Sequence, residues 1–500
     1  MKAGMPLRED GHGAWRSLRV VLPLAIGVHL LFWLSLPTGL LDPLFNDSMH
    51  RIGKGGDFFQ FYQAGAELLR GRTIYQYTVM DSVPYGPFNK YPPLLPATLG
   101  IAAQVFSPRA AYAVWVACVG GLFAALQALL RRLVGPTHYP VVLCLSLIFT
   151  PFYLDLYHGQ TNCLMALLIA SILIALARGP RLKDSLGLAF SFNVKLMTLL
   201  LVPAMLKPRH VRWLLGASAL SILLFLPYFA FFPADLLYFL RYAFGPATAY
   251  FYQGGNLGTY PLIEDLVFLF TYRAQAVTAA QIGWTGAVLV VTCLVHLRAR
   301  RADSVDLVSL WMCTYFLAFK FIWEHHLVML LPVLAVEYLR NDRRVVTLLW
   351  AILAAPTLFF LFDVSLGPGY TEVQFYWTGA TSALYHASKV LPLLVFYVVV
   401  AARLLDRSVG LKTVAMSLAT ACLVGGMIFL AQPTSAKDHC ALALLSVRRH
   451  DIEAARRHFD LCVGAQRPWR EGFFLYAEFL ERLGRSGAAR TMRQRGDALY

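Results

Sequence analysis

The stretch VVLPLAIGVHLLFWLSLPTGLL, residues 20–41, decides the fold class of this chain. It contains no Asp, Glu, Lys or Arg, and a helix of about 20 apolar residues is long enough to cross the hydrocarbon core of a bilayer. VAMSLATACLVGGMIFLAQ (414–432) repeats the pattern near the other end. The whole chain is 58% hydrophobic and only 14% charged, whereas soluble proteins carry about a quarter charged residues. The sequence therefore predicts an all-α polytopic membrane protein.

The distribution of basic residues supplies the topology. The net charge is +16, but the charge collects at the ends of the apolar runs, which is the positive-inside pattern. It does not form a separate aromatic-interleaved patch, so we expect membrane lipids and no nucleic acid as partners. The clusters are Arg16 with Arg19, Arg131 with Arg132, 178–183, 207–212, 298–301, 340–344 and 403–412.

Placing every basic cluster on the cytoplasmic side predicts about thirteen membrane segments, with the N-terminus cytoplasmic and the C-terminus extracytoplasmic. Residues 185–206 are basic at both flanks, so a single crossing would invert the topology downstream. Two half-helices that meet near Lys195 would restore it, as in broken helices buried within protein. A local violation of the positive-inside rule is the alternative. The remaining predicted spans are 20–41, 110–130, 139–154, 161–178, 213–232, 282–297, 304–320, 327–339, 345–362, 387–403 and 412–431.

The first outer loop, residues 42–109, contains the most informative polar stretch. GDFFQFYQAGAELLRGR (56–72) has apolar residues at helical spacing and predicts an amphipathic helix on the outer surface. Asp57 at its start, with Gln60 three residues later, forms a capping-box pattern. Gly71 is a natural helix stop. A capping aspartate can also face a cavity, so both a structural and a catalytic role stay open. YPPLLPATLGIAAQVF (91–106) is too short and proline-rich for a span and predicts an interfacial or re-entrant helix.

The topology sends further polar groups to the same side. Lys195 lies deep in an apolar segment, where an ionisable residue is costly and marks a candidate site. Glu324, His325 and His326 end a span. A helical Lys320–Glu324 pair is the structural alternative for the glutamate, and adjacent histidines without H-E-x-x-H spacing argue against a metal site. The side chains of Gln160 and Asn162, in the turn LYHGQTN (156–162), either contribute to the site or only satisfy a buried turn.

One carboxylate with nearby cations and hydrogen-bond donors, on a scaffold open to lipid, suits transfer of a sugar from a lipid-linked phosphate. The carboxylate would deprotonate an acceptor hydroxyl as it attacks the anomeric carbon. The phosphate is already a good leaving group and gains most from positive charge. Lys195 and a histidine would supply that charge.

Residues 434–500 differ from the predicted membrane domain, 1–433. RHDIEAARRHFDLCV and LYAEFLERLGRSGAARTMRQRG predict two amphipathic helices around a Trp/Pro turn, with weak tetratricopeptide-like spacing. We expect this small C-terminal helical domain to be extracytoplasmic and to dock a protein partner or the acceptor. Cys440 and Cys462 lie in it, and whether they pair is left open.

The chain resembles glycosyltransferase family 87, the polyprenyl-phosphate-mannose-dependent mannosyltransferases of GT-C architecture. The similar segments, in order along about residues 15–400, are GDFFQFYQAGAELLRGRTIYQY (56–77), YPP (91–93), GQTN (159–162), FNVK (192–195) and WEHHLVMLLP (323–332). The resemblance implies an inverting transfer of mannose on the outer face of the inner (plasma) membrane, with a polyprenyl-phosphate sugar as donor, a glycan or lipid as acceptor, and no metal or other cofactor.

The same resemblance implies roles for individual residues. Asp57 is the general base, Lys195 is a basic residue on the donor side, and His325 with His326 lies near the donor phosphate. GGNLGTYPL (254–262) departs from the family pattern, leaving only Asn256 as a counterpart and the acceptor unspecified. The full set of expected substrate-binding residues is Lys195, His325, His326, Glu324, Gln160, Asn162, Tyr62, Tyr91 and Asn256.

Two other functions stay open at this point. A transporter or flippase of a lipid-linked sugar should show internal repeats with matching broken helices in both halves, and only one broken segment is evident. A lipid-linked glycan polymerase or ligase should present paired arginines in an outer loop, where Arg241 and Arg273 stand alone.

Overall fold

A computed structural model describes most of the chain, and every statement below concerns that part. The described residues are 11–45, 53–75, 89, 91–244, 256–299, 302–357, 379–431, 435–465 and 468–499. Within them the secondary structure is helical and no β-strand is found; an isolated antiparallel bridge joins Asn256 to Trp323. Residues 358–362 of one predicted span, 254–255 of the departing segment and the predicted domain boundary at 433–434 lie outside the described residues.

The first half of the chain contains nine helices in its described residues. They are α1 (Gly11–Thr38), α2 (Gly56–Leu69), α3 (Pro108–Leu147), α4 (Thr150–His158), α5 (Asn162–Arg178), α6 (Ser185–Val194), α7 (Val202–Met205), α8 (Val211–Phe231) and α9 (Pro233–Phe244). Short 3-10 turns join several of them, at Asp42–Phe45, Ala103–Val105, Leu182–Asp184, Leu196–Leu201 and Pro208–His210, and Pro96–Gly100 is a π-helical turn.

The second half continues with α10 (Thr259–Phe268), α11 (Ala274–Arg298), α12 (Ser304–Ala318), α13 (Leu331–Arg340), α14 (Arg343–Ala354), α15 (Gly379–Leu404) and α16 (Leu411–Ala431). A 3-10 turn, Glu324–Leu330, leads directly into α13. The tail contains α17 (Ala436–Arg448), α18 (Ile452–Gly464), α19 (Arg470–Arg482) and α20 (Ser486–Asp497).

Several of these helices can span a bilayer. In the described residues five are long and apolar enough, namely Val20–Thr38, Pro108–Leu147, Pro208–Phe231, Gln275–Arg298 and Ser382–Leu404. Four shorter apolar helices accompany them, at Asn162–Arg178, Leu196–Met205, Ser304–Ala318 and Leu411–Leu423. The outward faces of the spans stay apolar, as for Leu24, Leu30, Leu215 and Leu223, because lipid replaces water there. The prediction of an all-α polytopic membrane protein is confirmed.

The helix break near Lys195 is present. α6 ends at Val194, Lys195 is extended (φ −146°, ψ 124°), and the chain continues as a 3-10 turn into α7. The backbone amide of Lys195 donates to the Ser191 carbonyl at 3.0 Å, and the Thr198 hydroxyl lies 3.1 Å from that of Ser191. The Lys195 amide and the Ser191 hydroxyl are therefore hydrogen-bonded at the break, where an unpaired polar group would be costly.

The predicted span near 110–130 lies within the first part of α3, whereas the predicted span near 139–154 is wrong in its bounds. Helix α3 runs through both as far as Leu147, bent at Gly135, whose φ of +75° is not helical. A new helix, α4, then starts at Thr150 with Pro151 in its first turn, a position where the missing proline N–H costs nothing. Residues 139–154 are thus split between two helices, because Phe149 is extended between them.

The tail forms four helices instead of the two expected from sequence. The second predicted helix breaks at Gly484, which has φ +75° and ends α19 as a left-handed stop. The four helices share a buried core that includes Phe459, Trp469 and Tyr476. Cys440 and Cys462 form a disulfide between α17 and α18, which answers the question that the sequence left open.

The tail packs against the membrane part through α10. Tyr272 and Phe268 join the tail core. The buried Asp265 carboxylate accepts hydrogen bonds from Ser382 at 2.8 Å and contacts the Lys437 ammonium at 3.4 Å and His386 at 2.6 Å. Lys437 belongs to α17, so a charged cluster ties the first tail helix to α10 and α15.

Candidate active site

Asp57 lies in the first turn of α2, and the capping prediction is wrong. The N-cap is Gly55, with φ 73° and no side-chain cap. The two carboxylate oxygens of Asp57 instead accept hydrogen bonds from the side-chain amides of Gln60 and Gln160, one on each oxygen. A carboxylate has about four lone-pair sites, so these two bonds leave room for a third donor.

Helix α2 is buried nearly all round, so the prediction that it lies on a surface as an amphipathic helix is also wrong. Its polar side has no exposed side chain before Arg70, since Gln60, Gln63 and Glu67 are buried together with the apolar side. The cause is the segment after Tyr91, which packs over the helix. A Cβ on Gly65 would come within 2.1 Å of the Gly100 carbonyl carbon, so this backbone approach requires glycine. The Tyr62 hydroxyl donates to the Phe106 carbonyl at 2.9 Å and is thus used structurally.

The turn between α4 and α5 brings Gln160 to Asp57. Gly159 adopts φ +67° and ends α4, and a Cβ there would lie 2.6 Å from the Cβ of Phe58 on α2. Trp115 of α3 donates to the Gly159 carbonyl at 2.9 Å. The turn therefore needs glycine both for its backbone conformation and for its contact with α2.

Asp155 fixes the other side of this turn. Its buried carboxylate accepts from the backbone amide of Cys163 at 3.0 Å and from the Asn162 side chain at 2.7 Å. These contacts place the Asp155 carboxyl group at the N-terminus of α5, where its oxygens satisfy backbone N–H groups that the helix itself leaves unpaired. They also turn the Asn162 carbonyl oxygen toward Lys195, whose ammonium donates to it at 2.5 Å.

Tyr91 joins the two halves of the site. Its hydroxyl donates to the Gln160 carbonyl oxygen at 3.0 Å, and its ring lies 5.5 Å from the Lys195 ammonium, which is within cation–π range. A continuous set of contacts thus runs from Asp57 through Gln160 and Tyr91 to Lys195. Lys195 is within electrostatic range of both Asp57 and Asp155.

The histidines lie on the same side as this network. The His325 and His326 rings are 4.8 Å apart, and His325 is 5.3 Å from the ring of His158 at the end of α4. His158 is in turn within electrostatic range of Asp57, and His325 of Lys195. The buried Nε2 of His325 has no hydrogen-bond partner among the described residues. An unpaired buried donor or acceptor is costly, and a ligand oxygen would satisfy it.

Two predicted site residues have other partners. Glu324 does not pair with Lys320, so that alternative is wrong; it forms a buried ion pair with Lys389 of α15 at 3.3 Å, and α12 has already ended at Ala318. The amide of Asn256 donates to the Lys320 carbonyl at 2.9 Å and accepts from the Ile322 backbone at 3.0 Å. Both residues hold the segment that carries the histidines.

The structure thus brings Asp57, Gln160, Asn162, Tyr91, Lys195, His325 and His326 together, with Glu324 and Asn256 bracing one side and Tyr62 bracing another. Sequence reasoning missed Asp155, His158 and Lys389. The first two stand within an otherwise apolar stretch, FYLDLYH, and Lys389 within an apolar span. An ionisable residue within an apolar segment is costly, so these three residues could have been identified from the sequence as candidates.

The arrangement offers one oriented carboxylate, one ammonium and several imidazole nitrogens. That set can take a proton from a hydroxyl and stabilise a phosphate oxyanion. Among the described residues, no three His, Cys, Asp or Glu side chains are grouped to hold a metal ion.

The sequence model of glycosyltransferase family 87 matches residues 89–321, a range that includes Tyr91, Gln160, Asn162 and Lys195. The helix of Asp57 precedes that range and the histidine pair follows it directly. No protein of curated function matches the chain.

Proposed function

The chain belongs to glycosyltransferase family 87, and from that premise we propose that it transfers mannose from a polyprenyl-phosphate donor to a hydroxyl of a glycan or lipid acceptor, with inversion at the anomeric carbon. It is a multi-pass membrane glycosyltransferase; the sugar, the donor and the stereochemistry are the proposed part. The observation that carries the proposal is the Asp57 carboxylate, fixed by two amides beside a buried lysine and a histidine pair.

Asp57 acts as the general base. The acceptor hydroxyl bonds to a free lone pair of the carboxylate, and its proton moves to Asp57 as its oxygen attacks the anomeric carbon. The bond from that carbon to the phosphate oxygen breaks, and the electron pair leaves with the polyprenyl phosphate. Gln60 and Gln160 prevent the carboxylate from rotating, which keeps the base aligned with the acceptor.

Lys195 and His325 receive the phosphate. The Lys195 ammonium uses one N–H on Asn162, and an ammonium has three, so the others can reach phosphate oxygens. The unpartnered Nε2 of His325 is suited to donate to the same group. Positive charge at this point favours the additional negative charge that develops on the leaving phosphate.

The proposed side of the membrane is the outer face of the plasma membrane. Helix α12 has Arg340 and Arg403 bound to Asp306 at its N-terminal end, and the histidine segment follows its C-terminal end. Fifteen residues of helix separate the two ends by roughly 22 Å. The positive-inside rule puts the arginine end in the cytoplasm, and the disulfide in the tail suits an oxidising compartment.

A transfer assay tests the proposal. Purified full-length protein is incubated with radiolabelled polyprenyl-phosphate mannose and envelope lipid extract, and both the labelled product and the released polyprenyl phosphate are measured. Stoichiometric release and labelling, unchanged by EDTA, support the proposal. A flippase would move the donor across a vesicle membrane without cleaving it, and that result would contradict the proposal.

A further inference from the structure

A surface cavity lies on α3, away from the candidate active site. It has a volume of about 600 Å³ and is lined by Ala124, Gln127, Ala128, Arg131, Arg132, Pro136 and Tyr139. Trp115, which contacts the active-site turn, and Arg131 lie on the same unbroken part of the helix, so the 16 residues between them correspond to roughly 24 Å. The cavity is therefore near the opposite face of the membrane.

The local sequence explains the cavity. Ala124, Gln127, Ala128 and Arg131 recur at three- and four-residue intervals and share one face of the helix. The small side chains of two alanines leave space along that face. The non-helical Gly135 bends the chain, and Tyr139, which follows the bend, also lines the cavity. Arg131 is within electrostatic range of Tyr139.

Gln127 is a buried polar residue among those that line the cavity. Its side chain is only 6% exposed, and neither its Nε2 nor its Oε1 has a hydrogen-bond partner among the described residues. An amide buried without partners is destabilising. The positive-inside rule explains why Arg131 and Arg132 end this span, but it does not explain the cavity or the buried amide of Gln127 next to them.

We propose that this cavity binds the phosphate headgroup of an anionic glycerophospholipid. Arg131 and Arg132 match phosphate oxygens in charge and geometry. The Gln127 amide can donate to the phosphate and accept from a headgroup hydroxyl, such as that of phosphatidylglycerol. Basic pockets at the cytoplasmic ends of membrane helices bind anionic headgroups by the same chemistry.

Native mass spectrometry of the full-length protein in detergent tests the proposal. The probes are phosphatidylglycerol, phosphatidylcholine and inorganic phosphate. We expect phosphatidylglycerol to bind the wild type about tenfold more tightly than the Arg131→Gln/Arg132→Gln double variant. Arg212→Gln, which removes an exposed arginine at the start of another span, should bind like the wild type.

Two further variants keep the test decisive if the double variant is unstable. Ala128→Leu fills the cavity without changing charge and should weaken phosphatidylglycerol binding as strongly. Gln127→Leu should weaken binding while raising the melting temperature of the lipid-free protein, because it removes an unsatisfied amide. Equal affinity for phosphatidylglycerol in all variants would overturn the proposal. Displacement of the lipid by millimolar inorganic phosphate would assign the site to free phosphate instead.

Discussion

The side-chain amide of Gln160 donates to the carboxylate of Asp57 across a sequence separation of 103 residues. This bond connects the turn before α5 with the first turn of α2. The bond holds the Asp57 carboxylate toward the polar network of Tyr91, Asn162 and Lys195, so that it does not cap the helix.

Gln160→Leu should lower kcat by about 10- to 100-fold with a small effect on KM, because an aligned base contributes mainly in the transition state. Steady-state kinetics with the prenyl-linked donor measure both constants. Gln63→Leu is the matched control. Gln63 is a buried glutamine on α2, the helix of Asp57, but its side-chain amide donates to Glu67 at 3.1 Å instead of to Asp57. Equal losses in both variants would indicate a general effect on folding and contradict the positioning role.

Lys195→Met should raise the KM for the donor and lower kcat/KM by about 10²- to 10³-fold, because it removes the charge opposite the phosphate. Lys195→Arg should restore part of this loss, since the charge is kept but the compact ammonium geometry is not. Lys183→Met, an exposed lysine just before α6, is the control. A Lys195→Met enzyme with wild-type donor KM would remove Lys195 from the phosphate site.

Cys440→Ser should lower the stability of the tail by about 3 kcal/mol, the value expected for a loop closed over 22 residues. Denaturant unfolding in detergent measures it, and alkylation before and after reduction counts the paired thiols. Cys422→Ser, an exposed free cysteine, should change neither. If Cys440 is fully alkylated in protein isolated without reductant, the disulfide does not form in the cell.

Asp265 should make tail docking sensitive to acid. Burial alone would raise the pKa of this carboxyl, but Lys437 and His386 outweigh burial and hold its pKa below the ordinary value. Because the pKa is lower in the folded protein, the ionised Asp265 stabilises the folded state at pH values above the unfolded-state pKa of about 3.9. This stabilisation is lost as the pH falls through the folded-state pKa. The melting temperature of the wild type should therefore be level from pH 7 to about 5 and fall at pH 3.

Asp265→Asn isolates that contribution. At pH 7 it should cost about 3 kcal/mol, because it leaves Lys437 buried without its charged partner. The difference in stability from the wild type should shrink as the pH falls below about 3.9 toward the lowered folded-state pKa. Glu453→Gln, at an exposed position of the tail, should follow the wild-type profile. A wild type and an Asp265→Asn variant that differ equally at all pH values would exclude ionic docking.

A feature of the fold or of the site could be predicted from the sequence when residues close together in the chain determine it. The break at Lys195 follows from an ionisable residue and basic flanks within one short segment, and the bounds of α5 follow from its apolar run. The pairing of Asp57 with Gln160, and of Glu324 with Lys389, depends on which distant helices meet. A capping box and a helical Lys–Glu pair are local patterns. The first brought Asp57 together with Gln60, which does bond to it, but neither pattern could reveal the distant partners Gln160 and Lys389.

The burial of α2 shows the same limit. Its polar residues read as a solvent-exposed face, since nothing in residues 56–72 reveals that another segment will cover them. The approach of Gly65 to Gly100 is what permits that covering, and two single glycines give no periodic signal. Gly159, by contrast, sits in a short polar turn between apolar runs, where a left-handed glycine is a common helix stop.

The central claim is that Asp57 removes the acceptor proton, and a comparison of chemistry with donor binding in Asp57→Asn tests it most directly. Single-turnover transfer from radiolabelled polyprenyl-phosphate mannose should fall by about 10²- to 10⁴-fold, while the affinity for the donor and the melting temperature stay near wild-type values. Glu67→Gln, which alters another buried acid of the same helix, should retain transfer. An Asp57→Asn enzyme that transfers mannose at a rate close to the wild type would contradict the account.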